Sequence, residues 1–423
     1  MNLPGFPSGG RRASTESPPG IKGGTFRTLR TNPNFRIYWT GAVLSNMGTW
    51  MQTVAQGWLV YEMTNSAFLL GLATFAGSIP ILLFALFGGV LADRVERRWL
   101  MLWTQAGMMV MAFVLAGLTL AGVVTIWDIM IIAFINGIVN ALNTPVRQSL
   151  VADLVSKEEF QNAIALSAAQ FQISKMLGPA LAGVTLATLG AGWCFFINAV
   201  SFLAVIAALL MLKVPPVIAR PQRSMLRNLG EGLRYVWTFP TISALLILAA
   251  IPSIFGQPYL AMLPAVAVGI LHTDATGLGF LQSVAGAGAL VGALTMASVT
   301  KSSSRSRMQM QMLFGFGLAL MLFGLSRWMP LSLLFIFGVG IASMSYSAIN
   351  QTFIQHVVDD EMRGRVMSIY ALSTLGLQPV GALLIGAVGS VIGVGYALLI
   401  GGAVCLALSL ISTRFKQAKL EAL

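Results

Sequence analysis

The chain alternates between long apolar runs and short charged breaks. Runs of the length a bilayer demands, about 20 residues, cover 37–61, 68–92, 100–124, 129–150, 163–188 and 191–212, then 242–271, 277–300, 308–325, 331–354, 366–388 and 391–413. The pattern predicts an all-α membrane protein with twelve transmembrane helices in two sets of six. Between the sets lies 213–239, a break with Pro215, Pro216, Pro221 and five basic residues, in which a short surface helix is expected over 225–237. The predicted organisation is therefore a tail (1–35), a six-helix half (36–212), a linker (213–239), a second half (240–413) and a tail (414–423).

Composition agrees with this reading. Of 423 residues 56% are hydrophobic and 9% charged, against roughly 25% charged in soluble domains. The net charge of +12 would suggest a nucleic-acid partner in a soluble protein. Here the basic residues fall between apolar runs and mark topology, so no nucleic-acid partner is expected. Threading twelve spans from a cytoplasmic N-terminus puts 93–98, 151–160, the linker, 301–307, 356–365 and both tails on one side. Those segments and the adjoining helix ends hold every Lys and Arg except Lys175 and Arg327. Short inside loops collect Lys and Arg, so both termini are expected in the cytoplasm. Residues 1–35, rich in Gly, Pro, Ser and Arg and without an apolar core, read as a disordered cytosolic tail. Cys194 and Cys405 lie inside apolar runs and read as free thiols.

The halves echo each other at an offset of about 203 residues: Leu154-Val155-Ser156-Lys157-Glu158-Glu159 follows the fourth run and Val357-Val358-Asp359-Asp360-Glu361-Met362 the tenth. Gly89 maps to Gly292, but Asp93 maps to Met296, so the acid has no counterpart. Two six-span repeats joined by a basic linker are the architecture of secondary transporters whose halves rock about a midplane site.

Polar residues inside the runs mark candidate chemistry. Lys175 stands near the middle of the fifth run, where a cation costs about 2.5–3.5 kcal/mol to insert. No carboxylate lies at its depth; Gln170, Gln172 and Ser174 can solvate it without neutralising it. It either faces a water-filled cavity, attracting an anionic substrate group or changing protonation, or is held structurally between helices. Asn136, Asn140, Asn143 and Arg147, at steps of four, three and four, share one helix face, which lines a pathway or meets a neighbouring helix. Asn46, Gln52 and Gln56 in the first run, and Ser343, Ser347 and Asn350 in the tenth, follow the same argument. Pro252, Pro258 and Pro264, with Gln257 among them, predict a broken or kinked seventh helix. Glu62, Asp128 and Asp274 are the acids near the outer span ends, either loop residues or proton carriers.

No Gly-x-x-x-x-Gly-Lys-Ser/Thr loop, metal-ligand spacing or Ser-His-Asp set is found, and His272 and His356 stand alone. The expectation is a non-enzyme without cofactor or metal, likewise without ATP hydrolysis of its own, and with energy taken from a gradient, most simply protons.

The run Gly89-Val90-Leu91-Ala92-Asp93-Arg94-Val95-Glu96-Arg97-Arg98 resembles motif A of the major facilitator superfamily, Gly-x-Leu-Ala-Asp-Arg-x-Gly-Arg-Arg, departing only at Glu96. Gly178-Pro179-Ala180-Leu181-Ala182-Gly183 resembles the fifth-span motif of its exporters. The stretches Asn350-Gln351-Thr352-Phe353-Ile354-Gln355 and Asp359-Asp360-Glu361-Met362-Arg363-Gly364-Arg365-Val366-Met367-Ser368 resemble the enterobactin-exporter-like branch, which includes drug efflux proteins. The resemblance implies that Asp93 caps the eleventh span when the cytoplasmic side closes, with Arg363 and Arg365 at that helix start, and that Asp153 partners the motif A arginines Arg94, Arg97 and Arg98. The plainer reading is a local Asp93 pairing with Arg94 or Arg97. The resemblance further implies an exporter of a small amphipathic compound, a drug or siderophore, monomeric in the lipid bilayer of a bacterial inner membrane. An importer or facilitator of a metabolite and a non-transporting scaffold or sensor are the alternatives.

Overall fold

A computed structural model describes residues 26–212, 225–298 and 305–421, leaving undescribed the side chains of 85–94, 225–229, 297–298, 305 and 414–421. Among the described residues all regular structure is helical: α1 Arg27–Thr31, α2 Pro33–Thr64, α3 Ala67–Arg94, α4 Arg97–Leu120, α5 Ile126–Leu154, α6 Phe160–Leu189, α7 Ala191–Met211, α8 Met225–Thr238, α9 Pro240–Phe255, α10 Tyr259–Gly269, α11 Ala275–Ser298, α12 Arg305–Leu325, α13 Met329–Val357, α14 Arg363–Ala371, α15 Gln378–Ile392 and α16 Val394–Glu421, with a π-helical turn Leu372–Gly376 between α14 and α15.

Among the described residues, ten of the predicted spans are long and apolar enough to cross a membrane. The other two, α2 and α6, have 32 and 30 residues. They are long enough but more polar, because they carry Asn46, Gln52, Gln56, Gln170, Gln172 and Lys175. The proline-rich seventh span is indeed broken, between α9 and α10 at 256–258, and the linker helix forms as α8.

The tail expected to be disordered through residue 35 differs at its end. Residues 1–25 lie outside the described residues, but Arg27–Thr31 is a helical turn and α2 already starts at Pro33. The Asn32 side chain caps α2 by accepting from the Phe35 N–H at 3.0 Å, and Pro33 fits the first helical position. This start is also tied down. Thr31 Oγ1 donates to Glu159 Oε1 at 2.6 Å, Asn32 Nδ2 donates to the Leu154 carbonyl at 2.8 Å, and the Thr28 N–H donates to Asn162 Oδ1 at 3.2 Å.

The helices form two bundles. In the first, α2 packs on α6 and α7, α3 on α5, and α4 on α5 and α7; in the second, α11 packs on α13, α12 on α13 and α16, and α9 on α16. The bundles meet through α6 with α11 and α3 with α15, while α10 reaches α2 and α3.

The apolar cores show how they meet. One continuous core contains Val54, Leu59, Val60, Leu70 and Phe195 of the first bundle together with Met262, Leu263, Leu278, Phe316 and Ile385 of the second. All lie toward the end remote from the termini, here the far end. At the opposite, terminal end the cores are separate: Phe35, Met101, Leu150, Phe202 and Leu209 in one, Ile242, Leu246, Ile354, Val366 and Tyr370 in the other. Among the described residues the bundles are therefore joined at the far end and parted at the terminal end.

Candidate functional site

The space between the parted bundles is walled by helices whose sides can be told apart by exposure. On α6, Leu177, Leu181 and Val184 share one exposed, apolar side, as a lipid-facing stripe should. The flank toward α2 is tied by Gln170 Nε2 donating to the Ala42 carbonyl at 3.1 Å and by Ser174 donating to the Val43 carbonyl at 3.4 Å. Another flank meets α11: a methyl on Gly183 would stand 3.0 Å from the Ala275 carbonyl oxygen and from Gly279 Cα. At 100° per residue Phe171 and Lys175 fall between the two flanks, Lys175 opposite the lipid stripe and Phe171 about 110° from it.

The closed seam between α6 and α11 ends at Lys175. A Cβ on Gly286 would stand 3.2 Å from the Lys175 carbonyl oxygen, while Ala165, Ala168 and Ala169, nearer the terminal end, are exposed. Lys175 Nζ lies 5.7 Å from the centroid of the Trp50 ring, and Trp50 meets Phe171 edge-on at 5.8 Å. Among the described residues no carboxylate pairs with Lys175.

The remaining candidates divide. Asn46 and Gln56 of α2 are partly exposed on the side opposite lipid-facing Leu44, together with exposed Thr49 and Thr53. Asn140 is exposed and Asn136 and Arg147 partly so, on the side of α5 away from exposed Ile131; Ser347 of α13 is partly exposed. Gln52, Asn143 and Asn350, expected along a pathway, are instead buried in seams inside one bundle. Asn198 Nδ2 donates to Gln52 Oε1 at 2.6 Å, Asn143 Nδ2 to Thr104 Oγ1 at 2.9 Å, and Gln309 Nε2 to Asn350 Oδ1 at 2.7 Å. A buried amide must find a partner, and a neighbouring helix supplies one. Sequence spacing gives the face but not which neighbour that face meets. Ser343 is likewise buried.

Gly178 and Gly183 are packing positions of different kinds. A methyl on Gly178 would meet Trp50 Cβ at 2.6 Å, inside one bundle, whereas Gly183 touches the other bundle. Pro179 is buried beside them, its carbonyl oxygen against Gly279.

At the terminal end Arg97, Arg98, Arg363 and Arg365 have partners within their own bundle, although Arg97 Nε is buried without one. Arg97 pairs with Asp153 at 2.5 Å, and Arg98 donates to the Leu209 and Leu210 carbonyls that close α7, at 2.8 and 2.7 Å. Arg363 pairs with Asp360, and Arg365 reaches Glu231 of α8 at 2.9 Å. Tyr235 of α8 donates to Asp359 at 2.8 Å, so α8 is fastened to the second bundle. Partial desolvation of the phenol, the larger cause, and hydrogen bonding to Asp359 push Tyr235 above its ordinary range. The side chains of Gly89, Asp93 and Arg94 lie outside the described residues. The helix expected to start after Arg365 starts at Arg363.

Two of the outer acids have structural work. Asp128 accepts from Thr125 N–H and Oγ1 at 2.9 and 2.7 Å in a capping box on α5, and Asp274 accepts the Gly277 N–H at 3.0 Å at the start of α11. Glu62 is exposed at the far end of α2.

Two helical bundles closed at one end, open at the other and polar along the opening define a membrane transporter of the major facilitator type. The chain belongs to the transmembrane secretion effector family, whose model matches residues 24–423. It is 26% identical over 399 residues to the enterobactin exporter EntS of Shigella flexneri, covering 92% of this chain and 95% of that protein. It is 25% identical over 373 residues to the staphyloferrin A transporter of Staphylococcus aureus, covering 85% and 90%. In fold it matches the nucleoside transporter NupG with a TM-score of 0.69 at 15% identity, covering 89% of this chain and 98% of that one. A bacterial homologue of the iron transporter ferroportin in an inward-facing state matches with a TM-score of 0.70 at 14% identity, covering 90% and 98%.

Proposed function

We propose that this chain is a secondary active exporter of a small amphipathic compound, a siderophore or drug, working by alternating access and driven by protons. The observation that carries the reading is the pair of ends: one shared core at the far end, two separate cores at the terminal end, with polar side chains and Lys175 along the opening. All twelve spans cross a bacterial inner membrane in this proposal. The basic terminal end with both termini is cytoplasmic by the positive-inside rule, so the opening faces the compound to be exported. The protein acts as a monomer.

The substrate enters between the halves and meets Asn46, Gln56, Asn136, Asn140, Arg147, Lys175 and Ser347. The bundles then rock together at the terminal end and part along the Gly183–Gly279 seam. Asp93 at the end of α3 latches the closed terminal end by capping α14 at Arg363, with Gly89, Arg94, Arg97, Arg98, Asp153 and Arg365 forming the latch surroundings. An anion at a helix N-terminus contributes about 0.3–1 kcal/mol, ~2 when partly buried, weak enough to release in each cycle. Gly178, Pro179 and Gly183 set the close approach of α6 to its neighbours, as in the exporter motif. With Asp128 and Asp274 occupied as helix caps, Lys175 and Glu62 are the proton-carrier candidates.

The test is accumulation of a labelled siderophore and of ethidium in cells with and without the chain, each with and without a proton uncoupler. The expected result is lower accumulation with the chain, abolished by the uncoupler. Equal accumulation in all four conditions sinks the exporter reading, and higher accumulation with the chain indicates import.

A further inference from the structure

We infer that the apex of the opening holds a binding site for an organic anion that carries an aromatic ring, with Lys175 as the charge partner and Trp50 and Phe171 as the ring partners. The inference rests on the transport reading above and adds to it the chemical class of the ligand.

The charge comes first. Lys175 is near the middle of the 30-residue α6, on its inward side, at the point where α6 and α11 separate. Among the described residues it has no carboxylate partner. What it has is the Trp50 face, 5.7 Å from Nζ, and an aromatic quadrupole attracts a cation without neutralising it. An ammonium left in this condition gains from any anion that reaches it, and gains more where the surroundings are drier. Gln170 and Ser174, its polar neighbours in sequence, donate to carbonyls of α2 and are engaged there.

The rings come second. Trp50 is the tryptophan placed mid-helix, away from the membrane interfaces where amphipathic rings collect. It packs edge-on to Phe171 at 5.8 Å, and Phe171 is 39% exposed one turn toward the opening. At 100° per residue Phe171 stands about 110° round α6 from the Leu177, Leu181 and Val184 stripe, on the same side as Lys175. The exposed ring therefore borders the opening beside the ammonium. A planar anion can pair with Nζ through its charged end while its ring lies against Phe171 and Trp50.

The test uses the full-length protein in lipid nanodiscs and three probes: 2-naphthoate (ring and charge), 2-naphthamide (ring only) and cyclohexanecarboxylate (charge only). Wild type is expected to bind naphthoate at least about tenfold more tightly than either other probe. Lys175→Met should remove that tenfold advantage over naphthamide, and Lys175→Arg should restore most of it. Trp50→Leu should weaken naphthoate and leave cyclohexanecarboxylate unchanged. Equal affinity of wild type for naphthoate and naphthamide overturns the inference, without any variant. So does a Lys175→Met protein of normal elution profile that binds naphthoate as wild type does. Efflux in cells is read separately: naphthoate selectivity without efflux of any compound refutes the transport reading, whereas efflux without selectivity refutes the inference alone.

Discussion

At the far end α6 and α11 meet through Gly183 and Gly279 with no room for a Cβ between them, and one apolar core runs through both bundles. At the terminal end each bundle keeps its own core, and Arg97, Arg98, Arg363 and Arg365 pair within their own bundle. The two kinds of contact suit the two tasks. Small residues let helices approach closely and gain dispersion over a whole seam, so a seam of this kind is made or lost as a unit. Ion pairs and carbonyl contacts made inside each bundle do not have to break for the bundles to part.

The largest effect is expected from wedging the far end. Gly183→Val puts a branched side chain where a single Cβ would already stand 3.0 Å from the Ala275 carbonyl oxygen and Gly279 Cα; overpacking of about 1–3 kcal/mol would shift the closed-to-open ratio about 5–150-fold. Spin labels at Thr64 and Thr273, with the buried Cys194 and Cys405 left in place, should then report a longer distance by double electron–electron resonance. An unchanged distance distribution would mean that the seam does not hold the far end.

Next comes the latch. Asp93→Asn removes the anion but keeps the shape, and a loss of ~0.3–2 kcal/mol corresponds to about 2–30-fold less of the terminal-end-closed form. Membrane insertion should be normal while efflux falls. Normal efflux by this variant would reduce the 89–98 stretch to a topology marker.

A smaller change is expected inside the first bundle. Arg97 and Asp153 are only partly buried, with side chains 20% and 27% exposed, so Asp153→Asn should cost about 1 kcal/mol. Thermal unfolding in detergent should show a modest loss, alike with and without the second bundle's latch residues. Non-additivity with Arg365→Gln would show that the two bundles communicate through these pairs.

The smallest effect concerns the start of the chain. The Thr31 hydroxyl donates to Glu159 and holds that carboxyl below its ordinary 4.5, with Asn32 and Arg27 adding to the effect. Because the folded value is lowered, this contact is fully present above pH 4.5 and is lost as the pH falls through the lowered value. A spin label at Arg30 should gain mobility in acid, and Glu159→Gln should abolish that pH dependence. The same acid transition in the Gln variant would remove Glu159 as its cause.

Much of the architecture was legible because hydrophobic length is a local property. Twelve runs, the linker helix and the broken seventh span could be read residue by residue, and the seventh span broke at 256–258 as its prolines demand. The candidate site was legible only in part. Helical spacing put Asn136, Asn140, Asn143 and Arg147 on one face, yet Asn143 turned to Thr104 while Asn140 stayed exposed. Gln52 and Asn350 were lost to partners on α7 and α12 in the same way. Trp50 could be seen as out of place mid-helix, but Phe171 gave no signal, since an apolar ring in an apolar run looks like any lipid contact. The tie from Thr31 and Asn32 to Glu159 joins segments far apart in the chain, so local composition alone read this stretch as disordered.

The sequence by itself determined which segments are helices, where the charges fall and that one cation stands in mid-helix without an acid at its depth, because each follows from composition over a single turn or span. Tertiary structure decided which polar residues face the opening and which staple neighbouring helices, because that depends on what packs across each face. It alone showed that the bundles share a core at one end and not at the other, and that Lys175 marks the place where they part.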